Sequence, residues 1–275
     1  MNKLKIIFLN SGSSIAYAIL TAIFTFLPED VFKLIVICDK WPILVNVIVN
    51  HAIVCVVVFV ISNLINCMYR KMRTSVSIKG KTYTMRIEYG DLFSIPKGKV
   101  VINFDECFTT TIGNAPYEIR PDSVCGQYLK KYPIDNMQAL IDDAGLKPLK
   151  TKSKFNRQVC YKPGVVIQRD KFLLMAFTKL DENGRGSMTY EEYLDCLNTL
   201  WKQIHIYHGT YDVYLPILGS GIVHFVDKDP TQQELLDIMI DSYRLSPWKL
   251  KESYKLHIVC VRKDGFSLNN IFGIE

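Results

Sequence analysis

Charged positions are missing from two long stretches near the start of the chain and recur at short intervals after them. Ile6 to Leu27 is 22 residues without a charge, and Pro42 to Ile65 is another 24. At about 1.5 Å per residue, helices of those lengths reach roughly 33 to 36 Å, enough to cross a hydrocarbon core of about 30 Å. The pattern therefore predicts two membrane spans, 6–27 and 42–65, joined by a short connector. Ile, Val, Leu and Phe dominate Ile43 to Ile61, whereas Ser11-Gly12-Ser13-Ser14 dilutes the first run. Lys3, Lys5, the first apolar run and Ala16-Tyr17-Ala18 also fit a signal peptide, but the run continues through Phe26. Arg70, Lys71 and Arg73 follow the second span and Lys3 and Lys5 precede the first, which predicts cytoplasmic termini and an external connector. Trp41 and Tyr69 then fall at the two interfaces. The second span also carries Asn46, Asn50, His51, Asn63 and Asn66. Asn46 and Asn50 lie four apart and share a helix face, where amides find partners on the first span or a second protomer, or form a polar seam that admits water.

Past the second span the periodicity changes. Residues 70–80 read as a linker. Tyr83 to Glu88 and Lys99 to Asn103 read as strands, Asp135 to Ala144 as a helix closed by Gly145. Val165 to Gln168 and Phe172 to Thr178 read as strands joined by Arg169-Asp170-Lys171. In Thr189 to His205, Tyr190, Tyr193, Leu194, Leu197, Leu200, Trp201 and Ile204 fall on one helical stripe. Tyr211 to Pro216 is a buried-type strand, Gln232 to Arg244 an amphipathic helix and Lys255 to Val261 the last strand. Strands alternating with helices of this length predict an α/β sheet with helices on its faces.

Composition sharpens the division. The whole chain is 49% apolar, with a mean hydropathy of +0.11 and a net charge of +6. The first 69 residues hold four of the 33 basic and three of the 27 acidic residues. The remaining 29 basic and 24 acidic residues give the globular part a mild +5, which offers no basis for a nucleic-acid partner. About 200 residues are enough for one sizeable core. The eight cysteines are scattered, without C-x-x-C or Cys/His metal spacing, which fits reduced thiols rather than a disulfide framework.

Leu215-Pro-Ile-Leu-Gly-Ser-Gly-Ile222 carries the most chemical information. A strand runs into a loop with glycines on both sides of a serine, and a helix follows. Such loops let backbone N–H groups approach an anion, at the strand ends where α/β folds bind nucleotides. A turn that needs positive φ produces the same pattern. Gly90-Asp91-Leu92-Phe93 resembles the G-D-I motif of macro domains, the ADP-ribose-binding α/β/α fold. Leu218-Gly219-Ser220-Gly221-Ile222 is similar to that family's A-L-G-T-G-I phosphate loop. Between them, where macro domains carry N-A-A-N and a glycine run, stand Asn103-Phe-Asp-Glu-Cys107-Phe-Thr-Thr110 and Ser123-Val-Cys-Gly-Gln127. That divergence, with Phe172-Leu-Leu-Met-Ala-Phe-Thr-Lys-Leu-Asp-Glu-Asn183, resembles the macro domain of Thoeris anti-phage effectors. Two membrane helices ahead of it match the type II effectors.

The resemblance implies an α/β/α three-layer macro-like domain at 81–275, preceded by a two-helix transmembrane hairpin at 1–69. It implies Asp91 on the adenine amino group, donors around Leu218, Gly219, Ser220, Gly221 and Ile222 on the diphosphate, and Cys107 to Thr109, Ser123 and Gly126 around the distal ribose. Phe108 stacks on the ligand or belongs to the core; Asp91 has the alternative role of a turn cap. The ligand implied is an ADP-ribose-derived signal, histidine-ADP-ribose, made by a partner TIR-domain protein. The lipid bilayer and further copies of the chain are the other implied partners, and no cofactor, metal or catalytic residue is implied. A membrane-tethered ADP-ribosyl hydrolase is the enzyme alternative, weakened by the missing asparagine pair and glycine run. A calcium-responsive membrane protein is the second, because Asp181 to Glu192 imitates an EF-hand loop apart from Arg185 at a ligand position. Without calcium, the loop is a strand-to-helix connector capped by Ser187 or Thr189, with Glu191 or Glu192 answering.

Overall fold

The computed structural model describes residues 11–26, 28–33, 36–221, 223–251 and 253–271. The chain divides into two compact units, Met1–Arg73 and Thr74–Glu275. The first unit contains α1 (Ser11–Phe26), the short α2 (Glu29–Lys33) and α3 (Ile43–Met72). Among the described residues α3 is the one helix long and apolar enough to cross a membrane; Ala16–Phe26 is a shorter apolar segment. Residues 6–10 and Leu27 of the expected first span lie outside the described residues. At 30 residues, α3 continues past Ile65 and places Arg70 and Lys71 in its last turn, where cations complement the helix dipole.

Two amides of α3 bond back to the segment before it, Asn46 to the connector and Asn50 to the short α2. Asn46 Oδ1 accepts from the amides of Ile37 and Cys38, both at 3.2 Å, and its Nδ2 donates to the Cys38 carbonyl at 3.1 Å. Asn50 Nδ2 donates to the Phe32 carbonyl at 2.8 Å. The His51 ring stacks on Phe32 and Phe24, with centroids 4.0 and 5.2 Å away, while Nδ1 donates to the Val47 carbonyl. The non-helical connector has backbone groups to satisfy, and these side chains satisfy them. Asn46 thus clasps the connector, and Asn50 reaches α2.

In the second unit β1 (Ser75–Lys79) and β2 (Thr84–Tyr89) form a hairpin. Then come β3 (Lys99–Asp105), α4 (Val124–Lys131), α5 (Met137–Asp143), β4 (Val166–Arg169), β5 (Phe172–Leu180) and β6 (Gly186–Met188). The chain continues through α6 (Tyr190–Tyr207), β7 (Val213–Pro216), β8 (His224–Phe225), α7 (Gln232–Leu245) and β9 (Lys255–Cys260). The described strands form one mixed sheet in the order β1-β2-β9-β7-β3-β5-β6-β8, with β4 antiparallel to β5. From β2 to β5 every pairing is parallel. Residues 70–80, expected as a linker, are helix to Met72 and strand from Ser75, so the globular unit starts earlier than residue 81.

Two apolar cores lie on opposite sides of the sheet. Leu197, Trp201 and Ile204 of α6 and Leu236 and Met239 of α7 pack on one face with Met85, Ile87 and Leu173. On the other face Tyr128 and Leu129 of α4 and Ile141 of α5 pack with Ile102, Phe104 and Leu174. The architecture is therefore three-layered. β5 is buried on both faces, as its unbroken Phe-Leu-Leu-Met-Ala-Phe requires of a central strand. Both long helices start at capping boxes, Thr189 with Glu192 and Thr231 with Glu234.

Candidate functional site

A cavity of about 590 Å³ opens at the carboxyl ends of β3, β5 and β7. Its floor is Asn103 to Asp105, Phe177, Thr178 and the turn after Pro216. Walls come from a flap at 114–120, from Asp122 to Cys125 at the start of α4, and from Gly184 to Gly186. The flap holds its own shape: Ile119 N donates to Thr111 O, and the Glu118 carboxylate accepts from the Ala115 amide. Tyr117 stacks on Phe155 with the rings 5.7 Å apart.

Two sources of backbone donors meet here. Gly219, Ser220 and Gly221 line the cavity, and Gly219 has φ +81, the left-handed conformation that glycine adopts without strain. The Ser220 hydroxyl donates to the Ile217 carbonyl at 2.8 Å, which fixes the turn. No acceptor among the described residues takes the Gly219 or Gly221 amide. Val124 and Cys125 bring the positive end of α4 to the opposite wall. Ser123 caps that helix, accepting from Gly126 N at 3.0 Å and donating to Arg120 O at 2.7 Å. An anionic linker is the group such a pair of donor edges accommodates.

Asp105 is among the cavity residues that the sequence reading missed. A register shift between Phe104 and Asp105 interrupts the pairing of β3 with β5, and bulges of this kind re-aim a side chain. Asp105 is buried, and its Oδ1 accepts from Cys107 N at 2.8 Å and Thr109 N at 3.2 Å. Burial pushes its carboxyl above the ordinary value, against the hydrogen bonds from Thr109 and Cys107. Its neighbour Glu106 is also buried and serves as a clip, with Oε1 accepting from Leu180 N at 3.1 Å. The sequence signal was available: an acid ending an apolar strand just where the chain departs from N-A-A-N.

Of the expected site residues, Ser123, Gly219, Ser220 and Gly221 line the cavity. Cys107, Phe108 and Thr109 do not; they form the loop that Asp105 holds from beneath. Phe108 is 2% exposed, packed near Phe104 and Tyr161 at φ +55, so it is core and not a ligand platform. Gly126 is a packing glycine, because a Cβ there would lie 2.1 Å from the Arg120 carbonyl oxygen. Leu218 is buried, and its carbonyl accepts from the Tyr193 hydroxyl at 2.9 Å. Asp91 is not among the lining residues; it caps a short 3-10 turn, accepting from Phe93 N at 2.9 Å and Ser94 Oγ at 2.7 Å. Those bonds hold its carboxyl below the usual range. Ile222 lies outside the described residues.

The thiols nearest the cavity are poor nucleophiles. Burial, with Asp105 adding to it, pushes Cys107 up to about 12, and burial raises Cys125 as well. The EF-hand-like loop is a hairpin turn whose end positions are already used. Asp181 Oδ1 accepts from the amides of Asn183 and Arg185, both at 2.8 Å. Glu192 pairs with Lys179 at 2.6 Å and caps Thr189. Thr189 and Glu192 are thus the capping pair among the alternatives.

A mixed sheet between two helix layers, with its cavity at the ends of the central parallel strands, is the macro-domain architecture. The chain belongs to the macro-domain family of Thoeris protein ThsA, whose profile matches residues 85–261. It is 32% identical over 194 residues to Thoeris protein ThsA of Bacillus amyloliquefaciens (strain Y2), covering 67% of this chain and 65% of that protein. The chain thus spans just under two thirds of that relative's length. A stretch of 71 residues, 22% of this chain, is 32% identical to part (44%) of the single-stranded DNA-binding protein of Chlamydia caviae. Among solved structures it is similar to the macrodomain of Thermus aquaticus DarG, with a TM-score of 0.37, 13% identity and coverage of 64% of this chain and 97% of that one.

Proposed function

We propose that the protein is a membrane effector of anti-phage defence whose macro domain senses an ADP-ribose-derived nucleotide. The observation that carries this reading is the meeting, across one cavity, of the α4 N-terminus with the Gly219 and Gly221 amides, which no acceptor among the described residues takes. A diphosphate bridges those edges, leaving a nucleoside on one side and the distal ribose among Ser123, Asp105 and the flap. Family membership points to a signal from a partner TIR-domain protein, with histidine-ADP-ribose the specific candidate. The length and apolarity of α3 favour membrane residence; the two-span topology with cytoplasmic termini belongs to the same proposal. Occupancy triggers assembly and membrane disruption only as far as the nucleotide binds the active arrangement more tightly than the resting one.

The protein acts as a sensor rather than a hydrolase, a view supported by the sequence Asn103-Phe-Asp-Glu standing where hydrolytic macro domains carry the asparagine pair and glycine run that position water and ribose. Titration of the full chain in lipid nanodiscs with ADP-ribose, histidine-ADP-ribose and AMP, with product analysis, tests the reading. Tight binding of an ADP-ribose compound without turnover, with ligand-dependent dye leakage from vesicles, is expected. Release of ADP-ribose and histidine from histidine-ADP-ribose would make it a hydrolase, and absence of binding would remove the proposal.

A further inference from the structure

Residues 147–162 concentrate charge of a single sign. They carry Lys147, Lys150, Lys152, Lys154, Arg157 and Lys162 and no acid, which matches the net +6 of the whole chain; elsewhere the basic residues balance the 27 acids. All six cations are exposed, and among the described residues none enters an ion pair. The segment is a bonded hairpin. Leu149 N donates to Cys160 O at 2.9 Å, Ser153 N donates to Gln158 O at 3.0 Å, and Lys152 bridges Val159. Ser153 and Cys160 are buried, so Lys150 and Lys152 stand on the outward face of the first arm. Lys154 and Arg157 lie at the turn, and Lys147 and Lys162 at the base. Beside the cations, Val159 is 41% exposed and Tyr117, stacked on Phe155, is 49% exposed.

The hairpin sits at the end of the sheet where the chain arrives from α3. Tyr161 N donates to the carbonyl of Glu106, just past β3, at 2.8 Å, which ties the hairpin to the carboxyl ends of β3 and β5. Tyr89 N donates to Thr74 O at 3.0 Å, at the carboxyl end of β2, and every pairing from β2 to β5 is parallel. Arg73 is the one residue between α3 and Thr74. We propose that the 147–162 hairpin docks on the anionic headgroups of the leaflet from which α3 emerges. The inference rests on the membrane reading of α3 and not on the nucleotide. Arg70, Lys71 and Arg73 at the end of α3 assign that leaflet to the cytoplasmic side, where anionic lipids hold the surface near about −30 mV. Each cation near such a surface is worth roughly fivefold in affinity. The short tether keeps the headgroups at high effective concentration. Val159 and Tyr117 favour a lipid surface over a purely polar polyanion, because interfacial binding adds buried apolar area to charge.

The test is amide hydrogen exchange of the full chain, without nucleotide, in phosphatidylcholine nanodiscs and in discs that also contain phosphatidylglycerol. Exchange across 147–162 should slow in the anionic discs alone, and 1 M KCl, which cuts the screening length to about 3 Å, should restore it. Lys150→Gln, Lys152→Gln and Lys154→Gln together remove three exposed charges. The triple variant should melt like wild type, while its docking equilibrium falls by about 100-fold and the slowing disappears. Equal exchange in the two discs, or slowing that survives the triple substitution, would overturn the inference and leave the membrane reading standing. A chain that enters neither disc would overturn both. Slowing by single-stranded DNA with none from anionic discs would also overturn it, and would assign the hairpin to a nucleic acid.

Discussion

Asp105→Ala should be the most damaging single change near the cavity that removes no apolar packing. The side chain accepts from two backbone amides, Cys107 N at 2.8 Å and Thr109 N at 3.2 Å, and from the Thr109 hydroxyl. Orphaning a buried donor costs about 1–3 kcal/mol, so the two amides account for about 2–6 kcal/mol. The loop also carries Phe108 at φ +55, a conformation that costs a non-glycine residue roughly 1–2 kcal/mol and that these bonds help to hold. Against a typical stability of about 5–15 kcal/mol the loss is large. At about 2–4 °C per kcal/mol for a domain of this size, the melting temperature should fall by about 5–20 °C. Asp105→Asn keeps an acceptor oxygen and should cost far less. The sign of its pH dependence follows from burial, which raises the folded carboxyl above its ordinary value. Above that ordinary value the folded state binds more protons than the unfolded chain, so wild-type stability falls as pH rises through the interval. The asparagine variant lacks this term, and its stability relative to wild type should increase from about pH 4 upward. Thermal melts of the three proteins across pH 4–8 decide the matter. Equal small losses for alanine and asparagine, with parallel pH profiles, would refute the role given to Asp105.

Tyr193→Phe leaves the buried Leu218 carbonyl without its donor, costing about 1–3 kcal/mol in a denaturant melt and loosening the turn ahead of Gly219; an unchanged midpoint would contradict this. Burial, assisted by His205, lowers His208 below its ordinary value of 6.5, so the unfolded chain binds more protons in that interval. Stability should therefore be lost as pH falls below about 6.5, and His208→Phe should flatten the slope; an identical slope would exclude the residue. Asn46→Leu removes the acceptor for the Ile37 and Cys38 amides, and hydrogen exchange at those two positions should accelerate by roughly tenfold or more. Unaltered exchange would mean that the connector holds without the clasp.

Elements with a long period or an unbroken apolar run were legible in the sequence. The stripe from Tyr190 to Ile204 and the run from Phe172 to Phe177 correspond to α6 and β5 because burial dictated nearly every residue there; Leu194, read as part of the stripe, is 41% exposed. β1 was not legible: its five residues alternate Ser with Val and Ile immediately after a long helix, too short a pattern to separate from a linker. α4 escaped because eight residues with Gly126 inside give little periodicity, and that glycine answers a tertiary contact with Arg120. The glycine turn was readable from local chemistry alone, and β7 carries it to the wall of the cavity. The flap at 114–120 was not, since its place on the cavity depends on Tyr117 meeting Phe155 and Gly184 from distant parts of the chain. Asp91 and Phe108 were assigned ligand contacts through resemblance, with a cap and a core position as their alternatives; the structure shows Asp91 capping a 3-10 turn and Phe108 buried.

The claim that the cavity binds an ADP-ribose-type nucleotide is tested most directly by calorimetric titration of ADP-ribose into wild-type and Gly221→Val protein. Gly221 lines the cavity, and a Cβ built there meets no atom within 4 Å, so valine enters open space rather than the fold. Wild type should bind ADP-ribose, and Gly221→Val should melt like wild type while losing about 100-fold or more in affinity, equivalent to about 2.7 kcal/mol. Undiminished binding by the folded valine variant, or no binding by the wild type, would contradict the account.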